Sequence, residues 1–192
     1  MKTKLLIALF ASFVLLGYKP IVSKSYKIDK QKTVISVSGT SSLHDWEINV
    51  KNFEGDLYVQ LGDNNIESIS SLNINFFSKS FSSGKALMDS KTKESLKADT
   101  YPMINFKITE IKDKKIINKV QQFTAIGKLT IVGVTKSINI TALSTIGVNG
   151  EIYFQGTKSI DMTEYGITPP TAMLGSLKTG KDVTVTFKIF FH

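Results

Sequence analysis

The 192-residue chain contains no cysteine, and that absence removes several chemistries at once. Without thiols there is no disulfide framework, no thiolate nucleophile, no lipidated N-terminal cysteine and no Cys-ligated metal site. A domain built from this chain must rest on its hydrophobic core. Histidine is nearly as scarce, with His44 inside the chain and His192 at its end. A nucleophilic triad would therefore have to use His44 as its base. Its surroundings argue otherwise. Ser41 and Ser42 fall in a Ser/Gly/Thr cluster suited to a turn, and Asp45 would project to the opposite face of a strand. Asp161 and Glu164 could pair as carboxylates, but they lie in a loop-like stretch. No catalytic residue and no metal site is expected. Proline is limited to four residues, and the 13 glycines follow no period, which excludes a collagen-like or low-complexity chain. Basic residues are in excess, giving a formal net charge of +8, but they are spread along the chain. The dense basic stripe with interleaved aromatics used for nucleic acid is missing.

What is present begins with an N-terminal leader pattern. Lys2 and Lys4 precede a largely apolar run from Leu5 to Leu16, followed by small and polar residues. Twelve residues of helix span only about 18 Å, against a hydrocarbon core of about 30 Å. The pattern is that of a secretory signal peptide over residues 1–23, cut near Ser23 or Ser25, with 24–192 as the mature domain. Loss of Lys2, Lys4 and Lys19 takes the formal charge from +8 to +5. That charge suits solubility and an approach to anionic headgroups. A periplasmic or secreted protein of the bacterial envelope is expected.

After Tyr26 nearly every segment alternates with period two, the mark of strands with one buried face. Ile35 and Val37 share a face, and His44, Trp46, Ile48 and Val50 share the next. Further rows are Leu72, Ile74 and Phe76; Ile104, Phe106 and Ile108; and Phe123, Ala125, Leu129 and Ile131. Ile138, Ile140 and Ala142 follow, then Ile152 and Phe154, and finally Val183, Val185, Phe187, Ile189 and Phe191. Turn residues such as Asn64, Asn65, Gly133, Gly147, Asn149 and Gly150 separate them. Only Leu87 to Ala98 reads as helix, with Met88, Thr92 and Leu96 on one side, ended by Tyr101-Pro102. Met162 to Lys181 reads as a long loop with one helical turn around Thr171 to Leu174. About eight antiparallel strands with one helix and one long loop must close into a barrel or stack as a sandwich.

Residues 127–138, Gly-Lys-Leu-Thr-Ile-Val-Gly-Val-Thr-Lys-Ser-Ile, resemble the signature hairpin of the YceI-like, polyisoprenoid-binding family. Tyr26-Lys27-Ile28-Asp29, His44, Phe53-Glu54-Gly55 and the Tyr-Pro-x-Ile-x-Phe pattern of Tyr101 to Phe106 recur in that family's order. The resemblance covers residues 26–191. It implies a lipocalin-like, eight-stranded antiparallel barrel around an elongated cavity that holds a polyisoprenoid chain. Two departures are visible: His44 is followed by Asp45-Trp46 where many members have a small residue, and the stretch from Asp161 to Pro170 looks like a subgroup version.

For such a binder the inward rows should be apolar, with few polar anchors at the mouth. The expected cavity wall comprises His44, Trp46, Ile48, Phe76, Phe106, Phe123, Leu129, Ile140, Phe154 and Phe187. Trp46 is either an apolar plate on that wall or core, and His44 either a polar contact or a hydrogen-bonded interior histidine. Met88 and Leu96, with Met173 and Leu174, are candidates for a lid, the alternative being an amphipathic helix that merely covers one end of the barrel. No cofactor is expected beyond a bound isoprenoid-type lipid; the expected partners are that lipid and, transiently, an anionic membrane surface. The sequence leaves the oligomeric state open. A different class of reading, a ligand-free envelope scaffold, would require the barrel to be filled rather than tunnelled.

Overall fold

The computed structural model describes residues 22–172 and 177–192. The leader expected at 1–23 therefore lies outside the described residues except for its last two. Met173 and Leu174 lie outside them too.

The described chain forms β1 (Val22–Lys27), β2 (Val34–Ser41), β3 (Trp46–Val50), β4 (Phe53–Leu61), β5 (Ile66–Phe77), β6 (Phe81–Ser82), α1 (Ala86–Ser95), β7 (Met103–Ile117), β8 (Val120–Ile131), β9 (Val134–Ile146), β10 (Ile152–Asp161), β11 (Thr171–Ala172) and β12 (Leu177–Phe191). Every pairing is antiparallel, and the sheet order is β1-β4-β5-β7-β8-β9-β10-β12-β2-β3-β6, with β11 appended to β12. This is a curled antiparallel sheet, as the alternation predicts, in the lipocalin-like form that the family resemblance implies.

The strand count differs from the expected eight in an instructive way. Eight strands have eight or more residues, and four short pieces (β1, β3, β6 and β11) bring the total to twelve. Two of the short pieces, β3 and β6, arise where a longer stretch of strand bends to curl the sheet. Lys51 and Asn52 break β3 from β4, and a 3₁₀ turn at Ser78–Ser80 breaks β5 from β6. That corner is satisfied internally: the buried Ser78 hydroxyl donates to the Tyr101 carbonyl at 2.7 Å, and the Ser78 amide to the Pro102 carbonyl at 2.9 Å. The two sheet ends come back to the body of the sheet. Asn49 and Val50 of β3 pair with Ser82 and Phe81, and Ile28 bridges Phe191.

Three boundaries need correction. The helix begins at Ala86 and ends at Ser95, so the last expected residues, Leu96 to Ala98, form turns, with Lys97 in the left-handed region at φ 46°. The long loop is shorter than expected, because β12 starts at Leu177. No helical turn forms at Thr171; Thr171 and Ala172 pair with Lys178 and Leu177 instead. Pro169 and Pro170 explain this, since each restricts its predecessor to extended backbone and directs the chain into a strand. Gly133 does form the sharp turn expected of it. Val132 (φ 48°) and Gly133 (φ 77°) make the two-residue connection of the β8–β9 hairpin, both left-handed as the sheet twist prefers.

One end of the barrel is solid. Leu57, Val59, Ile66, Ile152 and Phe191 are at most 1% exposed there. The buried Gln121 side chain completes this end. Its amide nitrogen donates to the Ile66 carbonyl at 2.8 Å, and its oxygen accepts from the Ile66 amide at 3.0 Å. The clamp satisfies the backbone at the start of β5, where water cannot reach it.

Candidate functional site

Above this solid end the inner strand faces do not meet. They surround a cavity of about 520 Å³, within the usual range of small-molecule pockets, about 300–1,000 Å³. Phe123, Phe154 and Phe191 form its floor, with ring centroids 6.2 Å apart for the first pair and 6.1 Å for the second, both edge to face. Leu43, His44, Leu87, Met88, Pro170 and Lys178 border its other end, which is the mouth.

The lumen stays open because three of its rings lie flat on the wall. Trp46 is the cross-strand partner of Gly39, and a Cβ on Gly39 would come within 2.4 Å of the indole. Phe106 lies over Gly127 in the same way, at 2.3 Å from such a Cβ, and Phe187 over Gly156 at 2.9 Å. All three glycines fall on the inward parity of their strands. Each leaves a depression that takes a ring from the neighbouring strand, so aromatic surface lines the lumen without filling it. The Trp46 indole is also pinned, its Nε1 donating to the Thr40 carbonyl at 3.1 Å.

All ten side chains expected on the wall border this one cavity. Ile48, Phe106, Phe123, Leu129, Phe154 and Phe187 are buried, and Trp46, Phe76 and Ile140 are half-buried. Trp46 is thus part of the wall. His44 requires a correction, because β3 begins only at Trp46 and His44 does not share its strand face. The Ser41 hydroxyl turns the chain there, accepting from the His44 amide at 3.2 Å and donating to the His44 carbonyl at 2.7 Å. His44 is consequently exposed on the rim, with Nδ1 2.6 Å from the Asp45 carbonyl oxygen, and is no interior histidine. Met88 from α1 and Leu96 just past its end border the cavity. The helix has no fully buried residue and is tethered by Asp89, which accepts from the Ser82 and Ser83 hydroxyls at 2.8 and 2.7 Å and from the Ser83 amide at 2.6 Å.

Of the ionisable groups at the cavity, Lys158 and Lys178 are the ones that the sequence reading does not single out. Among the described residues the cavity's ionisable side chains are Lys85, Lys91, Lys158, Lys178 and His44, with no carboxylate. Lys158 could have been found by parity, since it alternates with Ile152, Phe154 and Ile160 on β10. Asp161 and Glu164 do not pair with each other. Asp161 binds Lys181 at 2.6 Å and the Thr163 amide and hydroxyl, while Glu164 faces Lys136 at 3.7 Å. The Lys181 ammonium, and then Thr163, hold the Asp161 carboxyl down at about 2. Among the described residues no three His, Cys, Asp or Glu side chains cluster as a metal site would require.

A family model for the YceI-like domain matches residues 26–191. No curated protein matches the chain. Among solved structures, BcnA of Burkholderia cenocepacia aligns with a TM-score of 0.63 at 19% identity, over 85% of this chain and 98% of its own. A polyisoprenoid binding domain from Saccharophagus degradans, implicated in plant cell wall breakdown, aligns at 0.67 with 13% identity, over 87% and 97%. The Campylobacter jejuni YceI protein aligns at 0.56 with 19% identity, over 74% and 82%. At these identities the likeness to the solved structures is one of fold.

Proposed function

The chain belongs to the YceI-like domain family, and we propose that it is an exported, non-catalytic binding protein that holds one long apolar isoprenoid-type lipid for transport, storage or sequestration. The observation that carries this reading is the divided barrel. Its lower half is packed solid, whereas its upper half keeps an apolar lumen open by laying Trp46, Phe106 and Phe187 onto glycines. A barrel serving only as a scaffold has no need of that arrangement, so the open lumen favours the carrier over a ligand-free envelope module. Apolar transfer is worth roughly 0.8 kcal/mol per CH₂ from water, but a lipid starts in a membrane already shielded from water. Net binding then depends on fit to the wall and on headgroup contacts.

The rim suits collection from a bilayer. Leu43 and Leu87 are 67% and 69% exposed, and Lys85, Lys91 and Lys178 stand around them. Apolar tips within a basic ring favour brief insertion between anionic headgroups. Export to the periplasm or medium rests on Lys2, Lys4 and the apolar run that follows.

Native mass spectrometry of the exported protein, followed by organic extraction, tests the carrier. We expect a co-purifying apolar adduct that is lost from a folded Phe106→Asp variant. A clean apo mass, together with no uptake of polyprenols or isoprenoid quinones, would leave the scaffold reading. Leu43→Ser with Leu87→Ser should slow uptake from anionic vesicles while leaving the affinity for detergent-dispersed lipid unchanged. Equal uptake rates would rule out the docking rim.

A further inference from the structure

Among the described residues Lys158 is the one charged side chain of the cavity set within the barrel wall itself, away from the rim. It lies on β10 between Phe154, four residues toward the floor, and Ile160, and its cross-strand partner is Val185, also on the cavity wall. Four residues of strand place it about 13 Å above Phe154. Its ammonium has no hydrogen bond or ion pair among the described residues. Residues 1–21 and 173–176 contain no Asp or Glu that could supply one. The remaining ionisable groups at the cavity, Lys85, Lys91, Lys178 and His44, sit at the mouth above it. Lys91 is engaged by Glu94 at 2.9 Å; the other two lysines have no carboxylate partner among the described residues.

Lys158 is half-buried, and an ammonium with no protein counter-charge on an otherwise apolar wall is partly desolvated without compensation. The lysine makes sense when an anion completes it. A neutral hydroxyl or quinone headgroup would leave the charge uncompensated. We propose that the bound amphiphile carries a terminal anion, a phosphate or carboxylate, seated against Lys158, with the mouth lysines attracting it inward and its tail packed on the ring-lined floor. The chain contains no arginine, so recognition here is by point charges rather than by a bidentate fork. Such sites tolerate variation in the shape of the anion. This inference rests on the carrier reading and names the class of its ligand.

Paired ligands with one tail and two heads test it. Geranylgeraniol and geranylgeranyl monophosphate, and hexadecanol and palmitate, are titrated against the mature protein with Trp46 fluorescence as the readout. The wild type should bind the anionic member of at least one pair about tenfold or more tighter than its alcohol, as expected for a charge-assisted contact. Lys158→Met should bring that ratio close to one without weakening alcohol binding, whereas Lys128→Met on the outer face should preserve it. A preference in both pairs assigns the site to anions generally, and a preference in only one pair narrows the class to that headgroup. Equal affinity of acid and alcohol in the wild type, or a ratio that survives Lys158→Met, overturns the inference while the carrier reading stands. Inorganic phosphate matching the lipid phosphate in competition would overturn it too, because the tail would then contribute nothing. If none of the four ligands binds, the carrier reading itself fails.

Discussion

At the residue scale, the open lumen depends on side chains that are missing. Gly127 has no function as a flexible joint; it is the space into which the Phe106 ring fits. Gly127→Val should therefore push that ring off the wall and into the lumen. The expected result is a destabilisation of about 1–3 kcal/mol in urea unfolding, typical of overpacking, together with a loss of lipid uptake larger than that destabilisation explains. A variant that takes up lipid normally would show that the ring position is incidental. Gln121 makes the opposite case. In Gln121→Met the Ile66 amide and carbonyl lose their buried partners, at about 1–3 kcal/mol each, so unfolding should shift strongly while the lumen is untouched. The apolar wall was legible in the sequence because period-two alternation places Trp46, Phe106 and Phe187 on one face. The glycines and Lys158 occupy that same parity but add nothing to an apolar alternation, and a glycine reads equally well as a turn residue. His44 lies off the wall face because the Ser41 hydroxyl holds its backbone in a turn and delays the start of β3 to Trp46.

At the element scale, the rim is held by polar clamps together with the buried side chains of Met162, Tyr165 and Ile167. The 3₁₀ turn Met162–Tyr165 is capped by Asp161, which accepts from the Thr163 amide and ties the turn to β12 through Lys181. Asp161 titrates near 2 in the folded protein, against an ordinary value of 3.8. A carboxyl depressed on folding contributes stability that is fully present above its unfolded value and fades as pH falls through its folded value. Amide exchange at Thr163 and Glu164 should therefore be pH-insensitive beyond the intrinsic rate down to about pH 4, then accelerate toward pH 2. Asp161→Ala, which removes the acceptor, should show fast exchange throughout. Protection that persists in that variant would assign the turn's rigidity to Tyr165 and Ile167, which are buried there. The helix and the late loop show what sequence periodicity misses at this scale. Met88, Thr92 and Leu96 recur at helical spacing, yet the helix ends at Ser95, because Lys97 turns left-handed to bring Tyr101 back against Gly133. Likewise β12 gains its first residues from pairing with Thr171 and Ala172, a contact between segments that no local pattern encodes.

Across the whole molecule, the division into a packed end and a hollow end separates folding from binding. The buried cluster around Leu57, Val59, Ile66, Ile152 and Phe191 forms one end of the core and borders the lumen only through Phe191, so the apo barrel should fold without lipid. The hollow half keeps open space across its middle, where the packed end has side chains in contact. Regions with few cross-barrel contacts open at lower free energy than the global transition. Hydrogen exchange in the apo protein should accordingly be slow through Phe123, Ser144 and Ile152 and faster through Trp46–Val50 and Val183–Val185, although both sets lie in regular strands. A lipid that fills the lumen binds only the folded form. At a free concentration of about one hundred times Kd it adds about 2.7 kcal/mol, or roughly 5–11 °C in Tm for a domain of this size. The gain in protection should be confined to the mouth-side strands, because the packed end has nothing more to acquire. Uniform protection on lipid addition would indicate that the ligand acts by stabilising the global fold, and no change at either end would indicate that the lumen is not where it binds.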